Sequence, residues 1–365
     1  MSASRASRRP FYMTLLALLL ASCADDDIFI SGCEPQGEMR VYCDIGTPED
    51  IAALPDGQSL LLAHFGGMGQ GNGSVSLFDT KSEALIELYP GASAAPEKTL
   101  ISWGEPDCRP PDRAAFSPHG THLHRLENGA LRYLLVNHGG RESIEMFEVS
   151  GSGENTRLSW RGCVLAAPDT VINDVVGLAD GDVIFTRMLH DGGLWEMLTS
   201  IVGFNTGDLW RWSADSGLRI LPGTTANQPN GLEISADERF VFANMYMTGE
   251  VWKVKADTGE VVSRAAIASA DNSAWGSDGR LWIATHPDKF ANIVACFENQ
   301  DQVCGAAFEI VALDTETMTA ERVFAHRGPP MGAATVAVPQ AGRVYMGSFT
   351  GDRMISVPDF GATAD

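Results

Sequence analysis

Six times along the chain, a short apolar or alternating stretch runs into a tight turn and out into a second stretch rich in Val, Ile, Leu, Phe or Tyr. The copies are EDIAALPDGQSLLLAH from Glu49, HGTHLHRLENGALRYLLVNH from His119, NDVVGLADGDVIFTR from Asn173, NGLEISADERFVFAN from Asn230, DNSAWGSDGRLWIATH from Asp271 and AATVAVPQAGRVYMGS from Ala333. Their turns centre on Asp56, Asn128, Asp180, Asp237, Asp278 and Ala341. Asp-Gly and Asn-Gly between apolar runs are the strongest short-range hairpin signal, because both residues tolerate the left-handed backbone of a two-residue turn. Helical periodicity is nearly absent, with LWEMLTSIVGF over 194–204 the best candidate. The spacing of the turns leaves room for four strands per unit. Six such units predict an all-β, six-bladed β-propeller with a central channel. A pair of β-sandwiches would not explain what stands at the head of the repeats.

Those heads are polar. Glu49, Asn173, Asn230 and Asp271 each lie seven residues before their turn residue, and Asp50 and Asn272 follow directly. In a propeller the first strand of each blade lines the channel, so equivalent positions on successive blades point to one axial place. Carboxylates and amide oxygens without thiols form a hard-oxygen set. Such a set selects Ca²⁺, which takes six to eight oxygens, over Mg²⁺ or the softer metals. The competing reading is that these residues cap strand ends and bond backbone at the channel mouth.

Composition bounds the setting. The 365 residues are 44% hydrophobic and 20% charged, enough for one large core. The first 22 residues carry Arg5, Arg8 and Arg9 and an apolar run from Phe11 to Ala21, too short to span a bilayer and suited to a signal peptide. Leu20-Ala21-Ser22-Cys23 resembles the lipobox of bacterial lipoproteins, which implies an acylated Cys23, and SRRPF resembles the twin-arginine export motif. The expected organisation is a leader over 1–22, a linker over 23–44 and the propeller over 45–365. The expected location is a membrane-anchored protein facing the periplasm or cell exterior, touching the membrane only through its lipid. Loss of the leader takes the net charge from −21 to −24, a surface that disfavours nucleic acid and anionic lipid. Six cysteines follow Cys23, an even number that suits disulfides in an exported chain. Fifteen pairings are possible; the short separations favour Cys33–Cys43 and Cys296–Cys304, leaving Cys108–Cys163.

PEDIAALPDG, FSPHG, LLVNH, NDVVGLADG, NGLEISAD, DNSAWGSDGRLWIATHP and GRVYMGSF, in that order over roughly 45–357, resemble the paraoxonase/arylesterase family of propellers. The resemblance implies a calcium-dependent lactonase that also cleaves aryl esters, with two calcium ions in the channel. Carried over residue by residue, Glu49, Asn173, Asn230, Asp271 and Asn272 would hold an exposed catalytic ion. Asp50, Asp174 and a backbone carbonyl near Thr121 would hold a deeper structural one. His119 matches the family's proposed general base, His138 the partner proposed to orient it, and His286 a histidine at the mouth. Glu49 is the alternative base. The chain departs from the animal enzymes in having no cysteine after Cys304, so its ring must close by strand pairing or another bond. Rim loops differ as well, and loops carry specificity.

Other motifs weigh less. His122 and His124 share a strand face but lack a third ligand for zinc. FGGMGQGNGSV over 65–75 precedes a strand rather than a helix, so it is no phosphate loop. Neither G-x-S-x-G nor H-E-x-x-H occurs, against a serine hydrolase or zincin. The expected partner is a small lactone or ester, hydrolysed by water on a metal-polarised carbonyl. The alternatives are a gluconolactonase-like single-metal sugar lactonase and a non-catalytic surface propeller with structural calcium.

Overall fold

The computed structural model describes residues 25, 27–69, 71–91, 103–167 and 170–362. The leader and Cys23 lie outside the described residues. Each repeat builds one four-stranded antiparallel sheet, and six such sheets form the blades of a propeller. The strand leading each repeat is innermost: Pro48–Ala53, Pro118–Arg125, Val171–Gly177, Pro229–Ile234, Ala270–Trp275 and Ala334–Gln340, in blades one to six. These six strands touch in a ring, each against the inner strands before and after it and the sixth against the first. Every inner strand is followed by the turn that the sequence predicts, which returns it as the second strand of its blade.

The core is six layers, one between each pair of neighbouring blades. Phe116, Tyr133 and Phe147 of blade two meet Leu61, Leu77 and Tyr89 of blade one; Leu232 and Val241 of blade four meet Ile184 and Leu209 of blade three. Each layer removes apolar side chains from water at about 1.5–3 kcal/mol per side chain, so the ring is held by the sum of its blade–blade contacts.

Closure is made by the N-terminus. Arg40–Tyr42 pairs with Met354–Pro358 as the outermost strand of blade six, whose other three strands come from the C-terminal end. The Tyr42 ring enters the layer between blades six and one, 5.1 Å from the ring of Phe78, and its hydroxyl lies 3.0 Å from Ser356 Oγ. Part of the stretch expected to serve as a linker, 23–44, is therefore built into the fold. Further upstream, Phe29–Ile30 pairs with Val303–Cys304. The three favoured cysteine pairs all stand at disulfide distance, with Cα separations of 6.4, 5.7 and 5.6 Å for Cys33–Cys43, Cys108–Cys163 and Cys296–Cys304.

Two helices interrupt the β pattern, α1 over Leu194–Ile201 and α2 over Phe290–Glu298. The first is the expected helical segment, ending three residues early. The second is one that the sequence reading missed. Both lie in connections between the second and third strands of their blades, at the channel end that carries the polar heads. Among the described residues no helix is long and apolar enough to cross a membrane.

Candidate active site

A regular strand cannot aim two consecutive side chains into one channel, because its side chains alternate. All six inner strands break register at their heads. Pairing skips from Pro48 to Asp50, Pro118 to Thr121, Ile172 to Val175, Pro229 to Leu232, Ala270 to Ser273 and Ala334 to Val336. The skipped residues are Glu49; His119 and Gly120; Asn173 and Asp174; Asn230 and Gly231; Asp271 and Asn272; and Thr335. A bulge frees side chains from the pleat and re-aims them, and here it acts on the residues that the heads of the repeats supplied. The glycines permit close approach: a Cβ on Gly120 would stand 2.6 Å from the Asn173 carbonyl, and one on Gly231 would stand 2.7 Å from Asn272 Cα.

Hydrogen bonds tie the heads of different blades together. Asn272 Nδ2 donates to Glu49 Oε1 at 2.8 Å across 223 residues of sequence. Thr121 gives both its backbone N–H and its hydroxyl to Asp50 Oδ2, at 2.6 and 2.8 Å. Leu232 N donates to Asp174 Oδ2 at 2.6 Å and Val175 N to Oδ1 at 2.7 Å. Asp271 lies 3.8 Å from His286 Nε2 and accepts from the Asn230 side chain. Thr335 donates its hydroxyl to the Glu49 carbonyl. Thr121 thus meets Asp50 through its own donors.

Four carboxylates, Glu49, Asp50, Asp174 and Asp271, are buried here, and among the described residues none pairs with a Lys or Arg. Burial pushes all four upward: Asp50 to about 6, Asp271 to about 7, and Glu49 and Asp174 well above the usual carboxylate range, with neighbouring carboxylates adding to Glu49 and Asp174. Uncompensated buried charge is costly. Four side-chain oxygens in the same cluster, Glu49 Oε2, Asn173 Oδ1, Asn230 Oδ1 and Asn272 Oδ1, are buried with no hydrogen-bond partner. Buried acceptors are rarely left so. Among the described residues no three His, Cys, Asp or Glu side chains gather closely enough to chelate a metal alone. The set reaches a chelating number only when amide oxygens are counted, which fits a hard cation and not zinc.

The histidines flank this cluster. His119 Nδ1 donates to the Asn173 carbonyl at 3.1 Å, which leaves Nε2 unprotonated 3.6 Å from Glu49 Oε1. His138 stands with its ring centroid 5.0 Å from that of His119, and the Phe65 ring lies tilted against His119 at 5.0 Å and edge-on to His138 at 6.1 Å. The two imidazoles do not hydrogen-bond each other. The expectation that His138 sets the His119 tautomer is corrected: the Asn173 carbonyl sets it, and His138 Nδ1 is taken by Glu142. Burial, with His138 next, holds His119 down to about 3, far below a free imidazole. His286 receives the Tyr246 hydroxyl at Nδ1, 3.3 Å away, and gives Nε2–H to the Ala334 carbonyl at 3.1 Å. Its ring meets Phe349, which meets Phe297 of α2, so this helix borders the mouth.

The sequence model of the Arylesterase family matches residues 106–353. The chain belongs to the arylesterase family. No curated protein matches it. Among solved structures, a luciferin-regenerating enzyme superposes with a TM-score of 0.52 at 12% identity, covering 88% of this chain and 95% of its own. A gluconolactonase from Xanthomonas campestris superposes with a TM-score of 0.50 at 16% identity, covering 92% and 95%. At such identities the likeness shows the six-bladed fold, and family membership points to ester or lactone hydrolysis.

Sequence reasoning gathered the heads but missed Phe65, Glu142 and Tyr246. Phe65 sits in the glycine-rich stretch set aside as a loop, and Glu142 gives no periodic signal. Of the residues singled out, His122 and His124 fall further down the channel and join nothing at the mouth.

Proposed function

We propose that this protein is a calcium-dependent lactonase and arylesterase whose ion sits among Glu49, Asn173, Asn230, Asp271 and Asn272, with a second, deeper ion at Asp50, Asp174 and the backbone near Thr121. The observation that carries this reading is the set of buried side-chain oxygens without a partner among the described residues, beside four carboxylates that none of the described Lys or Arg residues neutralises. Calcium, when bound, supplies positive charge that polarises a carbonyl and stabilises the oxyanion formed on it.

The chain's own residues do the rest. The bulged heads hold their oxygens rigidly, on strands rather than loops. Phe65, Phe349 and Tyr246 present rings around the mouth, suited to the apolar part of an ester. His119 and His138 bring unprotonated Nε2 atoms beside the site and are the proton acceptors available to an attacking water. Glu49 is less suited to that role, since Asn272 holds one of its oxygens and the proposed ion would take the other.

The leader and lipobox support export and lipid anchoring at Cys23, which membrane partitioning of wild type against Cys23→Ala tests. Function is tested on the mature domain with γ- and δ-lactones of several chain lengths and phenyl acetate, under EGTA and with calcium restored. Activity lost to the chelator and regained with calcium is expected. Calcium binding without turnover of any ester would instead favour a binding propeller, and turnover unaffected by EGTA would remove the ion from the reaction.

A further inference from the structure

Four residues beyond His138, Glu142 turns its carboxylate back onto the ring. Both oxygens approach His138 Nδ1, at 2.9 and 3.0 Å. A carboxylate only accepts, so the proton of the neutral imidazole lies on Nδ1 and the lone pair on Nε2. The ring cannot turn away: its side chain is 1% exposed, its backbone N–H is tied to the Ser117 carbonyl at 3.0 Å, and the rings of His119 and Phe65 lie against it. Nε2 is buried and meets no hydrogen-bond partner among the described residues. His119 has only a neutral carbonyl behind its Nδ1.

We propose that Glu142 is a positioning residue that acts through His138, fixing Nδ1–H and leaving Nε2 as the proton acceptor of the hydrolytic step. The inference rests on the ester-hydrolase reading above. In that step the water oxygen bonds to the carbonyl carbon and one water proton passes to His138 Nε2. The ring becomes an imidazolium while Nδ1–H stays on Glu142. When the C–O bond to the leaving group breaks, the Nε2 proton goes to the departing oxygen, and the ring is neutral again. The negative charge of Glu142 stabilises the intervening imidazolium, the role that a buried carboxylate plays behind a catalytic histidine elsewhere. Glu142 is partly exposed, and among the described residues its only other side-chain hydrogen bond is a long one, from Ile172 N at 3.5 Å, so removing it disturbs little else.

The test uses the calcium-loaded mature protein. Long-range ¹H–¹⁵N spectra of histidine read the His138 tautomer, and hydrolysis of phenyl acetate and of lactones reads kcat and KM separately. Wild type is expected to show Nδ1–H. Glu142→Leu should lose that tautomer and lower kcat by at least about tenfold with KM little changed. Glu142→Gln, which keeps an acceptor without charge, should fall between, and Glu142→Asp should recover part of the loss. Nε2–H in the wild type would overturn the proposal whether or not any ester turns over. So would wild-type kcat in Glu142→Leu, or a fall in kcat with the Nδ1–H tautomer intact. A wild type with Nδ1–H that hydrolyses nothing would overturn the hydrolase reading, and the catalytic role of Glu142 with it.

Discussion

The two ends of the channel are built by the same six strands and treat polar groups in opposite ways. At the mouth, carboxylates and amides are buried with oxygens left over and, among the described residues, no Lys or Arg paired with them. At the other end, a cavity of about 430 Å³ is bordered by His122, His124, Glu233, Glu238 and Trp275, and nearly every polar group there is spent on the protein. Arg132 donates to His124 Nε2 at 2.7 Å and to the carbonyls of Gly181 and Asp182 at 2.8 and 3.0 Å. His122 Nδ1 accepts from Gly177 N at 3.2 Å, and its Nε2 faces Glu233 at 3.5 Å. Trp275 gives its indole N–H to Ile234 O at 3.0 Å; one donor, His124 Nδ1, is left. Satisfied groups hold the scaffold together, whereas a cluster of unsatisfied ones of a single sign is arranged for something that arrives later.

Substitutions at the two ends should therefore differ in kind. The largest effect is expected from Asp271→Ala or Asn230→Ala, which should cut kcat/KM for lactones by about a thousandfold or more while circular dichroism shows an intact propeller. Full activity in either would break the comparison at its stronger end. Asp174→Ala should next lower the melting temperature in calcium and shrink the increment that calcium gives. That increment should also depend on pH. Asp50 and Asp271 rise to about 6 and 7 without a cation, so the folded chain holds protons there that the unfolded chain has already released. Their contribution to metal-free stability is present below about pH 4 and lost as pH rises through 6 to 7. Calcium must displace those protons, so the difference between melting curves with calcium and with EGTA should widen from pH 4.5 to pH 8. A constant difference would argue against carboxylate ligands. Arg132→Met should cost about 2–4 kcal/mol by stranding buried carbonyls yet leave calcium affinity, measured by titration calorimetry, unchanged. The smallest effect belongs to His122→Gln, within about 1 kcal/mol in urea denaturation; a loss of activity there would mean that the lower end also serves the reaction.

Much of this contrast was legible in the sequence. The turns gave away the repeat, and the fixed offset of Glu49, Asn173, Asn230 and Asp271 placed them at one height in the channel. Strand periodicity alone puts Asn173 and Asp174 on opposite faces, so the sequence reading could only assert that both point inward. The bulge that reconciles them is a pairing irregularity, fixed by the partner strand and invisible in one segment. Arg40–Tyr42 was hidden for a different reason: three residues are too few to show a period, and their partner is more than 300 residues away. Glu142 looks like any solvated carboxylate until the fold brings it over a histidine. Two cysteine pairs were recoverable by preferring short separations, because a hairpin or a single loop already holds such residues close, and Cys108–Cys163, 55 residues apart, followed as the pair left over.

Closure by Arg40–Tyr42 against Met354–Pro358 sets the order in which the molecule can be finished. The first blade strand to be synthesised belongs to the last blade, and it has no edge to join until almost the whole chain exists. Five blades can assemble in turn as they emerge, but the ring stays an open arc with two bare sheet edges, and the loop that the final pairing closes is nearly the length of the protein. A chain truncated before residue 354 would lose the strand Met354–Pro358 with its pairings to both Arg40–Tyr42 and Arg343–Ser348, and blade six would no longer be tied to the N-terminus. Glu49 of blade one and Asn272 of blade five, both proposed metal ligands, stand on either side of blade six in the ring and hydrogen-bond each other directly, so the ability to bind would be among the last properties the nascent protein acquires.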